Sequence, residues 1–325
     1  MKRVFLLSIL FTSAGIFTPL AHAQFTAVDP LLVSINPQYP KPHDTVTVTP
    51  SSTLVDLSAS SITVSVNGVV INKTTGTASS YVQVGGAGET TNITVTAINE
   101  GQTYTKKLSV RPADVSLITE SVSTTHPFYD GAPLVAAEGR VRLIAVPEFK
   151  TAGGSLIPAS SLVYTWKQGD QKLESSSGIG KSILNATAPL RYRDVAITVT
   201  VATADSSVVA QTSTLVSPTD PILRIYRNDP LLGPIFSHAL PASVAMVDSE
   251  ETFRVVPYYF ATTPSLSWQV NGKASETGQD ITVRGTGSGK GTAYLGVTAK
   301  YGQSAGTAAM SVQFGVAKSL GIFGL

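Results

Sequence analysis

Outside the first two dozen residues the chain has three histidines, His43, His126 and His238, about a hundred residues apart, each in a loop-rich segment. Zinc binding or general acid–base chemistry needs two or three such groups at one point. This spacing predicts solvent-facing loop histidines instead. The acidic groups Asp248-Ser-Glu-Glu251, and Asp130 with Asp170 and Glu174, could lend oxygens to calcium, but the Asp-x-Asp-x-Asp-Gly spacing of a dedicated calcium loop is missing. Gly285-Thr-Gly-Ser-Gly-Lys-Gly-Thr292 invites a phosphate-loop reading and fails it. Arg284 stands where the first glycine is needed, Gly291 replaces the Ser or Thr after Lys290, and a strand-like stretch follows where a helix is required. That segment, like Gly85-Gly-Ala-Gly88, reads as a flexible hairpin connection. No nucleophile elbow and no paired carboxylates mark a hydrolase.

The aromatic residues are more informative. Tyr258-Tyr259-Phe260 follows Pro257, and Phe128-Tyr129 follows Pro127. Three adjacent rings on an extended chain cannot all face one core, because alternate side chains point oppositely. At least one ring is therefore expected at the surface, packed against a neighbouring domain or offered to a protein or glycan partner. Tyr258, Tyr259, Phe260, Phe128 and Tyr129 are the candidate contact residues. Asn72-Lys-Thr74, Asn92-Ile-Thr94 and Asn185-Ala-Thr187 match the glycosylation pattern, which arises often by chance in a Thr-rich chain.

The elements that must position these residues are strands. Leu162-Val-Tyr-Thr-Trp-Lys-Gln-Gly-Asp170 and the alternating Val195–Ala202 predict a strand carrying Trp166, a turn, and a later strand whose Ile197, Val199 and Val201 close the same core. Leu266–Gly272 with Tyr294–Ala299 repeats the pattern around Trp268, and Ile62–Gly68 with Ile93–Ala97 repeats it without tryptophan. Upstream, Thr45–Pro50, Arg140–Pro147 and Thr252–Pro257 each read as a strand ending at proline. The turn glycines Gly68, Gly169 and Gly272 recur at about a hundred residues, the size of one sandwich domain. The expected fold class is all-β: three tandem immunoglobulin-like β-sandwich domains, 24–112, 113–218 and 219–325, joined by short Pro-containing linkers. Proteolysis is expected near Arg111 and Arg224.

Tyr164-Thr-Trp-Lys-Gln-Gly-Asp170 resembles the core of polycystic-kidney-disease-type (PKD-like) and related bacterial immunoglobulin-like repeats. In these a tryptophan strand enters a Gly-Asp turn and a Val-Thr-Val strand follows. Ser267–Gly272 is similar but less close, Gln171 replaces the second turn glycine, and no cysteine pair bridges the sheets. The resemblance covers most of the chain as architecture and a few residues as motif. It implies a secreted or surface-displayed modular protein, and such modules serve as spacers, adhesins and glycan binders alike.

Lys2 and Arg3, an apolar run from Val4 to Ile16, and Ala21-His22-Ala23 read as a cleaved signal peptide, 1–23. Its loss lowers Lys+Arg from 23 to 21, matching the 21 Asp+Glu. A neutral surface without a basic stripe argues against nucleic acid and against an anionic membrane as partner. The absence of cysteine excludes thiol catalysis, Fe–S clusters and thiolate zinc sites. Val316–Leu325 is small and apolar, too short to cross a bilayer, and reads as a frayed end or as a strand that pairs with another chain. The sum is a non-enzymatic, exported structural or adhesive protein without cofactor or transmembrane segment, or alternatively a ligand-binding module for carbohydrate or protein.

Overall fold

The computed structural model describes residues 29–246, 248–285 and 289–315; the signal segment and the Val316–Leu325 tail lie outside them. The described chain forms three immunoglobulin-like sandwiches in tandem. The first unit contains β1 (Leu32–Asn36), β2 (Thr45–Ser51), β3 (Ser61–Val66), β4 (Val69–Thr75), β5 (Ser80–Gln83), β6 (Thr91–Asn99) and β7 (Gln102–Val110). The second contains β8 (Asp114–Val122), β9 (Arg140–Glu148), β10 (Val163–Gln168), β11 (Gln171–Lys172), β12 (Gly178–Ile179), β13 (Ile183–Thr187), β14 (Val195–Ala202) and β15 (Val209–Val216). The third contains β16 (Ile222–Asp229), β17 (Gly233–Pro234), β18 (Ser243–Ala245), β19 (Glu250–Tyr258), β20 (Ser265–Val270), β21 (Lys273–Thr277), β22 (Asp280–Arg284), β23 (Gly291–Tyr301) and β24 (Ser304–Phe314).

Each unit stacks two sheets of one repeating order. In the first these are β1-β2-β5 and β4-β3-β6-β7, and in the second β8-β9-β13 and β11-β10-β14-β15. The third has β17-β16-β19-β22 against β18-β24-β23-β20-β21, with β18 running parallel to β24. The apolar side of each strand alternation faces the opposite sheet, which gives three separate cores. Register shows the repeat to be real: Val64, Trp166 and Trp268 lie opposite Val95, Val199 and Val297. Both indoles are buried, and their N–H groups donate to the carbonyls of Lys181 and Gly278 at 2.8 and 3.1 Å. The Asn67-Gly68 and Asn271-Gly272 turns have positive φ at both residues, as a two-residue hairpin of matching twist requires.

Three expectations are corrected. The strands containing Pro50, Pro147 and Pro257 run one residue further, to Ser51, Glu148 and Tyr258. Each proline pairs on one side only, at a level beyond the third strand of its sheet, so its missing N–H interrupts no ladder there. The glycine-rich segments do not join hairpin partners: Gly85–Gly88 leads from β5 to β6 across the two sheets, and β22 and β23, which flank the second segment, lie in different sheets, residues 286–288 being outside the described residues. Gly88 also marks a close approach, because a Cβ there would lie 2.4 Å from the Thr151 carbonyl of the second unit. Arg224, expected near a protease-accessible link, sits within β16 opposite Val256, where ladder hydrogen bonds shield the backbone.

Candidate functional site

Between β8 and β9 the chain makes a long excursion, residues 123–139, that leaves the second sandwich and docks on the third. Its base is held by the Ser123 hydroxyl, which donates to the Leu134 carbonyl at 2.8 Å, and by a bond from Ser121 to the Pro133 carbonyl. Its outgoing arm is fixed by three bonds across the joint. Thr124 N–H donates to the Phe260 carbonyl (2.9 Å), Tyr259 N–H to the Thr124 carbonyl (2.9 Å), and Phe260 N–H to the Thr124 hydroxyl (3.0 Å).

The aromatic triplet is divided by a bend. Tyr259 has φ 63°, which turns the chain at the end of β19 and sends its three rings to different neighbours. Phe260 is fully buried in the core of the third unit. Tyr258 packs on the outer face of its sheet with Tyr226, their hydroxyls 2.7 Å apart. Half-buried Tyr259 meets Tyr129 of the excursion, hydroxyl to hydroxyl, at 3.2 Å.

His126 is corrected from a solvent-facing loop residue to the middle of this cluster. Its ring stacks on Phe236 at 5.0 Å and stands edge-on to Tyr129, Tyr258 and Tyr226 at 5.6, 5.9 and 6.4 Å. Its Nδ1 bonds the Pro127 carbonyl. Of the five sequence candidates, Tyr258 and Phe260 are thus corrected as contact residues, since their rings are spent on packing. Phe128 is the opposite case: it is 93% exposed at the tip of the excursion, with φ 61°.

Beside Phe128 lies a cleft of about 430 Å³ bordered by Thr124, Pro127, Phe236, Arg254 and Gln279. Arg254 Nε donates to Asp280 Oδ1 at 2.8 Å, its Nη2 reaches the other carboxylate oxygen, and Asn228 donates to Oδ1 at 3.1 Å. The wall thus combines apolar rings with planar polar groups. Phe236, Tyr226 and Arg254 carried no signal in the sequence, because each belongs to a strand or loop whose outer neighbour comes from another unit. The length of the excursion was the one available clue.

The remaining candidates do not converge. His43 is exposed in the first unit, and His238 is exposed on the loop between β17 and β18 of the third. Glu250 pairs with Arg284, Glu251 with Arg227 at 3.1 Å, and Glu174 with Lys172 at 2.8 Å. Among the described residues no three His, Asp or Glu side chains gather as metal ligands, and no helix is long and apolar enough to cross a membrane.

The phenols make the joint sensitive to alkali. Burial, then the Tyr226 hydroxyl, pushes Tyr258 well above the ordinary tyrosine range; the Tyr129 hydroxyl, then burial, raises Tyr259. A phenol with a higher pKa folded than unfolded contributes stability that is complete below its unfolded value and lost as pH rises through the folded one. Urea midpoints are therefore expected to fall above about pH 10, and less steeply in Tyr258→Phe. An unchanged slope in that variant would remove Tyr258 as the source.

No family model matches the chain, and no curated protein matches it. Similar solved structures include the three N-terminal domains of the bacteriophage RB49 highly immunogenic outer capsid protein (Hoc), at 12% identity over 89% of this chain and 99% of that one, TM-score 0.27. The central fibronectin-III array of RIM-binding protein is similar at 10% identity over 86% and 95%, TM-score 0.28. The fibronectin(III)-like modules of Clostridium thermocellum CbhA are similar at 13% identity over 61% and 93%, TM-score 0.22. By its own strand order and cores, the chain is an all-β tandem of immunoglobulin-like sandwiches.

Proposed function

We propose that the chain is a non-enzymatic, exported structural or adhesive protein of the cell surface or extracellular space. After signal 1–23, modules 24–112, 113–218 and 219–325 hold a contact loop at the second joint and present it to a protein partner. The observation that supports this most is Phe128, a large ring held 93% in solvent on a loop anchored at Thr124, His126 and Tyr129. Aromatic anchors on pre-ordered loops dominate protein interfaces, because little conformational entropy is lost when they bind. Purified protein would be tested against immobilised extracellular proteins and whole cells. Phe128→Ala is expected to weaken binding about thirtyfold, the size of a hot-spot truncation, with an unchanged melting curve. Equal binding by both proteins would refute the loop as the contact.

A second reading is a carbohydrate site in the cleft beside Phe128. It is favoured by one exposed ring standing near Arg254 and Gln279, since sugars are held by a stacked ring together with planar polar groups. A glycan array comparing wild type with Phe128→Ala separates the two readings, and silence on the array sinks the carbohydrate one.

A further inference from the structure

The outer faces of the three sheets that contain β2, β9 and β19 occupy equivalent places and differ in kind. In the first unit the middle strand shows Thr45, Thr47 and Thr49 outward, an ordinary wetted face. In the third unit the face carries Tyr226, Val256 and Tyr258, and the excursion from the second unit covers it. In the second unit the face has an apolar centre, and among the described residues nothing covers it. Ile118, Ile144 and Ile183 form one cross-strand row, with Val146 and Val122 on either side of it. Ile118 is 50% exposed, Val146 45% and Val122 63%.

The ladder of β8 and β9 is centred on this row. Its outward pairs run Asp114–Glu148, Ser116–Val146, Ile118–Ile144, Glu120–Arg142 and Val122–Arg140. One end carries Asp114 and Glu148, which lie against Lys41 (3.0 Å) and Lys150 (3.8 Å) of the same chain; the other carries Arg140 beside the Arg142–Glu120 pair. A two-fold axis along the isoleucine row maps each end onto the other, so Arg140 of one copy would stand over Asp114 and Glu148 of the next. The isoleucines would meet their own counterparts. The same operation brings Val146 over the hollow of about 530 Å³ lined by Glu120, Val122, Arg140 and Arg142. A self-complementary apolar centre, with Arg140 set over carboxylates only when the two copies run head to tail, is what an isologous sheet-on-sheet contact requires.

We propose that this face is a homodimer interface, occupied by a second copy of the chain packed antiparallel through the same sheet. The contact is independent of the Phe128 loop, so the two ideas fail separately. Sedimentation velocity of the full chain over a wide concentration range is expected to show a reversible dimer. Ile118→Lys should give a monomer with unchanged far-UV circular dichroism, the position being half in solvent already. Arg140→Glu should also give a monomer, and Arg140→Glu combined with Glu148→Arg should recover the dimer, because the swapped charges again face each other. Phe128→Ala should leave the dimer intact. A wild-type chain that stays monomeric, or a dimer that survives Ile118→Lys, overturns the interface. A dimer indifferent to Arg140→Glu overturns the antiparallel arrangement.

Discussion

Trp166→Ala is expected to cost the second sandwich about 3–5 kcal/mol, the range for removing a fully buried aromatic side chain. The indole lies at the centre of its core with Tyr164, Leu184, Val199 and Val201. Truncation leaves a cavity, and it leaves the Lys181 carbonyl without the donor that now reaches it at 2.8 Å. Against a domain stability of about 5–15 kcal/mol, that loss takes the unit close to unfolding at room temperature. The chain contains two tryptophans, Trp166 and Trp268, one in each of the last two units. In Trp166→Ala the remaining fluorescence therefore reports the third unit alone. Guanidinium titration followed by circular dichroism and by Trp268 emission should show an early loss of strand signal ahead of the emission change. A shift below about 1 kcal/mol, the size of a mild core change, would mean that the site collapses around the gap.

His126→Ala is expected to uncouple the second and third units. Three of its four ring contacts, those with Phe236, Tyr258 and Tyr226, cross the joint, and aromatic pairs contribute about 0.5–1.5 kcal/mol each. A coupling of about 1.5–4.5 kcal/mol follows from those three. Wild-type calorimetry should show these units melting together. The first unit should melt apart from them, since its joint includes the solvent-exposed Lys41–Asp114 pair (3.0 Å), and exposed pairs contribute little. The variant should split the joint transition in two and speed hydrogen exchange at the Tyr259 and Phe260 amides, which now donate to Thr124. Separate melting in the wild type would show that the joint transmits no stability.

The two residues differ in how visible they were beforehand. Trp166 sits in a period-two alternation with a turn glycine three residues on and a β-branched strand downstream. That information is local, because strand pleating alone decides which side chains share a face. The threefold recurrence of the strand pattern and the turn glycines Gly68, Gly169 and Gly272 were legible for the same reason. His126 was not legible. Its surroundings come from β16, β19 and the segment after β17, roughly a hundred residues away along the chain.

The same limit explains the errors over glycine and proline. A glycine-rich stretch permits a tight turn, but whether it closes a hairpin or crosses between sheets depends on which strands pair. Pro50, Pro147 and Pro257 could remain inside strands only because the neighbouring strand stops short of them, a fact of sheet register.

By itself, then, the sequence determined the all-β class, the threefold repeat and the faces that Trp166 and Trp268 turn to their cores, since alternation and turn chemistry act over a few residues. Tertiary structure decided which aromatics were spent on packing, why Phe128 alone of the five candidates stands in solvent, and which sheet face was left uncovered. Those outcomes depend on contacts between units, and burial supplied by a distant unit leaves no period in the local sequence.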